Sequence, residues 1–133
     1  MKYFIIFAIT TVIFFAIDML WLGLLAKDLY KNQLGYIMAK DVNWKAAFIF
    51  YGIYISGILY FVIMPSLNNG NWQTALLNGA LLGGLCYATY DLTNLATLKD
   101  WPVNIVWIDI AWGMFLTGTT SMISHILAKM VNV

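Results

Sequence analysis

Four apolar runs, at about residues 3–26, 44–65, 73–98 and 103–127, take up most of a chain of 133 residues. Each holds roughly 20 residues or more, enough to cross a hydrocarbon core of about 30 Å at about 1.5 Å per residue. With 62% hydrophobic and 10% charged residues, too little polar surface exists to cover such runs in water. The pattern predicts an all-α fold: an integral membrane bundle of four transmembrane helices, forming one domain over residues 1–133. The first run is read as a retained span. Its charged lead-in is Lys2 alone, its apolar part is too long for a secretory signal, and no small-x-small cleavage site follows.

The connections are polar and mostly short. Between the first two spans, Leu29, Tyr30, Leu34, Ile37 and Met38 recur at helical spacing, with Lys27, Lys31 and Lys40 among the polar positions. That spacing predicts a short interfacial helix. Pro65 is expected to close the second span, and Asn68-Asn69-Gly70-Asn71 to supply a turn with left-handed backbone. Lys99-Asp100-Trp101-Pro102 joins spans three and four as an antiparallel pair, with Pro102 opening the last helix. Trp44, Trp72 and Trp101 are expected at interface levels. Lys27, Lys31, Lys40, Lys45 and Lys99 fall on one side, against Lys2 and Lys129 on the other. The bias puts both odd-numbered loops in the cytoplasm and both termini outside.

Into this apolar frame are set three carboxylates, Asp18, Asp91 and Asp109, in spans one, three and four. The chain has no Arg and no Glu, and no Lys lies inside those three spans. Counted along the helices, the acids lie roughly 12, 10 and 9 Å from the same membrane boundary. A carboxylate in hydrocarbon is costly, so each acid is expected to be protonated, hydrogen-bonded or bound to something.

Polar and aromatic neighbours accompany each acid. Tyr87, Asp91 and Asn94 share one helical stripe, and Tyr90 shares an adjacent one with Asn94. Asp109, Gly113, Thr117, Thr120 and Ser124 form another, while Tyr51 and Tyr54 lie at comparable depth on span two. Ile17-Asp18-x-x-Trp21 is repeated as Ile108-Asp109-x-x-Trp112 on helices running in opposite directions, the pattern of an inverted pair. Together these residues predict an intramembrane pocket built from Asp18, Asp91, Asp109, Trp21, Tyr87, Tyr90, Asn94 and Trp112. Such a pocket suits proton-coupled binding or transport of a cationic or lipophilic small molecule. Two other readings stay open: a membrane-embedded enzyme using the aspartates as acid and base on a lipid or isoprenoid, and a non-catalytic accessory subunit. In the plainest alternative, the aspartates only hydrogen-bond helices together.

Small residues repeat as Gly52, Ser56 and Gly57, as Gly79, Gly83 and Gly84, and as Gly113, Thr117, Gly118 and Ser121. They allow close helix approach within the chain or between two copies of a homodimer. His125 follows Asp109 by sixteen residues, roughly 24 Å of helix, and is expected at the opposite interface. With one His and one Cys, no transition-metal site is expected, and no cofactor is implied. Cys86 reads as a small buried apolar residue. No basic patch suggests nucleic acid; the expected partners are the lipid bilayer and the small molecule.

The run Tyr90-Asp91-Leu92-Thr93-Asn94-Leu95-Ala96-Thr97-Leu98, followed by Trp101-Pro102, resembles the signature of a bacterial membrane family, domain of unknown function 2177. Asp18-x-x-Trp21-Leu22-Gly23 and Asp109-x-x-Trp112-Gly113 match it as well, so the likeness spans essentially the whole chain. It implies a small multi-pass protein of the bacterial inner membrane and brings no activity with it. Small multidrug transporters are similar in size only.

Overall fold

A computed structural model describes residues 1–132. Five helices carry the chain: α1 (Lys2–Leu25), α2 (Lys27–Leu34), α3 (Trp44–Asn69), α4 (Trp72–Thr97) and α5 (Val103–Met130). No strand occurs among the described residues, so the all-helical expectation holds. By length and composition alone, α1 and α3 are apolar enough to cross a membrane. Helices α4 and α5 are as long, at 26 and 28 residues, but carry small and polar residues on the faces they turn to each other.

Side-chain caps fix two helix starts. The Asn43 amide oxygen accepts from the Ala46 N–H at 3.1 Å to begin α3, and Asn71 accepts from the Thr74 N–H at 2.9 Å to begin α4. Each satisfies an orphan donor of the first turn and contributes about 1 kcal/mol. Gly70 and Asn71 reverse the chain with extended backbone, not with the left-handed conformation expected there. Pro65 does not end α3, which runs on to Asn69. The proline has no N–H to return to Phe61, and that residue lies inside a π turn, Leu59–Ile63, where the hydrogen-bond register already shifts. A second π turn, Trp21–Leu25, ends α1.

Helix α2 is shorter than its apolar spacing suggests. It stops before Gly35, a weak helix former, and Ile37 and Met38 stand exposed beyond it. Asp100, at φ 62°, turns the chain between α4 and α5, and its carbonyl accepts the Tyr36 hydroxyl. The segment after α2 is thereby tied to the α4–α5 linker.

Helices α4 and α5 pack antiparallel along their length. Gly79 lies against Ser121 and the Thr117 carbonyl, Gly83 against the Gly113 carbonyl, and Gly113 against the Tyr87 ring. A Cβ at Gly83 would stand 2.1 Å from the Gly113 oxygen, so only glycine permits this approach. These small residues therefore pack within the chain. Helix α1 runs antiparallel to α3 and packs along α5, enclosing a core of Ile6, Phe14, Tyr54, Ile55, Ile58 and Leu116. The exterior is apolar on all four long helices, with Val12, Ile53, Phe61, Leu77, Leu81, Leu85 and Phe115 exposed.

Candidate functional site

Asp18, near the end of α1, is 6% exposed, and the Tyr51 hydroxyl of α3 donates to its Oδ2 at 3.2 Å. The Trp112 indole of α5 lies beside it. Asp109, early in α5, is 7% exposed and accepts a hydrogen bond from the Tyr30 hydroxyl of α2. The same hydroxyl accepts from Trp21 Nε1 at 3.1 Å. A hydrogen-bonded line thus runs from α1 through α2 to α5.

The indoles of Trp21 and Trp112 stack between these acids, with centroids 4.4 Å apart and planes 10° from parallel. The repeated Asp-x-x-Trp pattern is therefore crossed in space. Asp18 sits by the tryptophan of the second copy, and Asp109 reaches the tryptophan of the first through Tyr30.

These groups border a cavity of about 200 Å³ lined by Asp18, Trp21, Tyr30, Tyr51, Asp109 and Trp112, with Leu22, Phe50 and Tyr87 at its edge. No lysine lines it. Besides these phenols, Asp18 is within reach of the Trp112 indole and Asp109 of the Asp91 carboxyl. Beside it lies a larger apolar cleft of about 440 Å³, lined by Phe50, Tyr54, Cys86, Tyr87 and Tyr90. Phe50 and Tyr87 belong to both.

Of the eight residues singled out in the sequence, five border the acidic cavity: Asp18, Asp109, Trp21, Trp112 and Tyr87. Asp91 does not. It is fully buried behind Asp109, set against the Asp109 carboxyl and the Trp101 indole, with neither oxygen in a hydrogen bond of full geometry. Tyr87, one turn earlier on the same stripe, fills the space over Gly113, and Trp101 covers Asp91 from the linker. Trp101 is 7% exposed and stands edge-on to Tyr90 at 6.0 Å, whereas Trp44 and Trp72 are exposed. Tyr90 lines the apolar cleft, and Asn94, half-buried beside Tyr90, lines neither space. Among the described residues no three acidic, imidazole or thiol groups are placed to hold a metal ion.

Sequence reasoning missed Tyr30, which it assigned to the apolar face of a surface helix, and gave Phe50 no role. Tyr51 and Tyr54 were placed at the right depth, and Tyr54 meets Thr117 across the core at 2.7 Å. The Tyr30 phenol, outside the long helices, is pushed well above its ordinary value of 10.0 by burial and by its bond to Asp109, so it stays a donor through the physiological range. Cys86 is partly exposed, not buried filler. His125 is buried at 4% exposure. The Ser66 hydroxyl donates to the Ile63 carbonyl at 2.7 Å, which leaves His125 Nδ1–H as the donor to Ser66 at 2.8 Å.

A family model described as "Predicted membrane protein (DUF2177)" matches residues 3–126 of the chain. No curated protein and no solved structure matches it.

Proposed function

Because the chain belongs to the DUF2177 family of predicted membrane proteins, we propose that it is a four-span protein of the bacterial inner membrane whose acidic cavity binds a cationic or lipophilic small molecule and moves it in exchange for protons. Support for four spans comes from the apolar exterior of all four long helices and from the lengths of α4 and α5, roughly 39 and 42 Å at about 1.5 Å per residue. The bond from Tyr36 to Asp100 joins the two odd-numbered loops at one end, where Lys27, Lys31, Lys40, Lys45 and Lys99 gather. That lysine-rich end is the cytoplasmic one by the positive-inside bias.

One observation carries the binding reading: two buried carboxyls face a shared cavity that no lysine lines, with a stacked indole pair between them. Carboxyls so placed are completed by protons or by a positively charged guest, and exchange between the two is the elementary step of coupled transport. The test is ethidium flux into proteoliposomes under an imposed pH gradient. Flux should be lost in Asp18→Asn and Asp109→Asn; flux that persists in the double variant sinks the proposal. The adjoining apolar cleft also favours a second reading, an enzyme acting on a lipid with Asp18 and Asp109 as acid and base. Comparing lipid extracts of deletion and wild-type cells separates the two, since only the enzyme alters the lipid profile.

A further inference from the structure

The acidic cavity and the apolar cleft are neighbours of opposite chemistry with a common wall. The cleft is bounded by Phe50 and Tyr54 of α3 and by Cys86, Tyr87 and Tyr90 of α4. Helix α3 packs on α4 chiefly from Leu59 onward, so their other halves diverge beside the aspartates and leave a lateral opening. Of the three phenols that line the cleft, that of Tyr54 is engaged with Thr117, and the accessible lining is almost entirely apolar. Its walls therefore offer a guest little but hydrocarbon and ring faces. The cleft's size, about 440 Å³, falls in the usual range of small-molecule sites, about 300–1,000 Å³, while the acidic cavity of about 200 Å³ has room for a headgroup only.

Taking the proposed cation site as its premise, we infer that the ligand is an amphiphile, with a cationic amine head in the acidic cavity and a hydrocarbon chain in the cleft between α3 and α4. Charge selects the head. Asp18 and Asp109 face the cavity, and behind them Asp91 is fully buried against the Asp109 carboxyl, a third acid in the same cluster. An anionic head would meet these carboxyls with like charge, and an uncharged one would leave them to be neutralised by protons alone. The rings of Trp21, Trp112, Tyr30 and Tyr51 add the faces that quaternary and primary amines favour. Hydrophobic burial selects the chain, because each methylene that enters the cleft leaves an aqueous phase in which the free cation must partly reside.

Cys86, the single cysteine of the chain, lines the cleft and reports on it directly. The experiment uses wild-type protein in nanodiscs of zwitterionic lipid and measures the rate at which N-ethylmaleimide modifies Cys86. Three probes are compared below their micellar concentrations: dodecyltrimethylammonium, tetramethylammonium and dodecanol. Indole fluorescence reports occupancy of the acidic cavity. Dodecyltrimethylammonium should shift the fluorescence and protect Cys86 saturably. Tetramethylammonium should shift the fluorescence at a concentration at least about tenfold higher and leave the thiol reactive. Dodecanol should give little protection. Asp18→Asn and Asp109→Asn should abolish the response to both cations. Cys86→Phe, which fills the cleft, should lower the affinity for dodecyltrimethylammonium to that for tetramethylammonium and leave the latter unchanged.

Equal affinity for the two cations, or an unprotected thiol under saturating dodecyltrimethylammonium, overturns the amphiphile inference and leaves the cation site standing. Protection that survives both asparagine changes overturns it too, because the chain would then bind without its head. Fluorescence unmoved by either cation overturns the inference and the cation site together.

Discussion

Tyr30 donates its hydroxyl to Asp109, a residue 79 positions further along the chain, while accepting from the Trp21 indole. This phenol is what makes α2 a cover over the acidic cavity. Removing it in Tyr30→Phe leaves a buried carboxyl and an indole N–H each short of a partner. The expected cost is about 1–3 kcal/mol, read as a lower unfolding temperature. Tryptic cleavage at Lys31 should also quicken as the helix lifts.

The same phenol gives a pH dependence with a definite sign. Burial and the bond to Asp109 raise its folded-state value above the ordinary 10.0. A group whose pKa is raised on folding stabilises the fold fully below its unfolded value and loses that contribution as pH rises through the folded one. The gap in unfolding temperature between wild type and Tyr30→Phe should therefore hold steady up to about pH 10 and narrow above it. A gap that widens at alkaline pH would refute the assignment.

Close approach in the α4–α5 seam predicts an asymmetry among glycines. Gly83→Val drives a Cβ into the Gly113 carbonyl, whereas Gly52 has nothing within 4 Å of the same position. The first change should cost about 3 kcal/mol or more. Gly52→Val should fall within about 0.5 kcal/mol of wild type. Thermal unfolding in detergent measures both.

The three aspartates should separate when each is changed to asparagine. Asp18 and Asp109 face the cavity and should dominate cation binding. Asp91 is buried behind Asp109 and outside that lining, so Asp91→Asn should weaken binding least. It should also leave the unfolding temperature unchanged or higher, since it removes one of two acidic groups buried side by side. Binding isotherms for dodecyltrimethylammonium, paired with melting curves, order the three.

His125→Ala isolates the far end of the bundle. It removes the donor to Ser66 and should cost about 1–3 kcal/mol. Cation binding should be unaffected, because roughly 24 Å of helix lies between positions 109 and 125. Coupled loss of binding at the aspartates would contradict the separation of the two polar regions.

What the sequence made readable follows from helical periodicity. Counting along an axis put Asp18 and Asp109 at one depth with Trp21, Trp112 and Tyr51, and those residues do line one cavity. The small-residue stripes were visible too, although only tertiary contacts reveal that Gly83 meets Gly113 inside one chain. Periodicity cannot report where a connecting segment folds back. Tyr30 looked like one more apolar position on a surface helix, and its inward reach depends on how α2 settles over α5. The partner of His125 is hidden for the same reason, since the hydroxyl that meets it lies on α3, past Pro65. The π turn that lets α3 continue through that proline has no counterpart in the periodicity of the apolar run.

The interlock of Gly79, Gly83 and Gly113 also limits which parts of the molecule can move. With backbone against backbone, α4 and α5 have no slack for sliding or tilting and behave as a single stator. Both widened turns, Trp21–Leu25 and Leu59–Ile63, fall on the opposite pair, α1 and α3. Under the proposed exchange, α1 and α3 are therefore the pair left to move. A spin label on that pair should report distances that change on loading, while labels across the hairpin stay fixed.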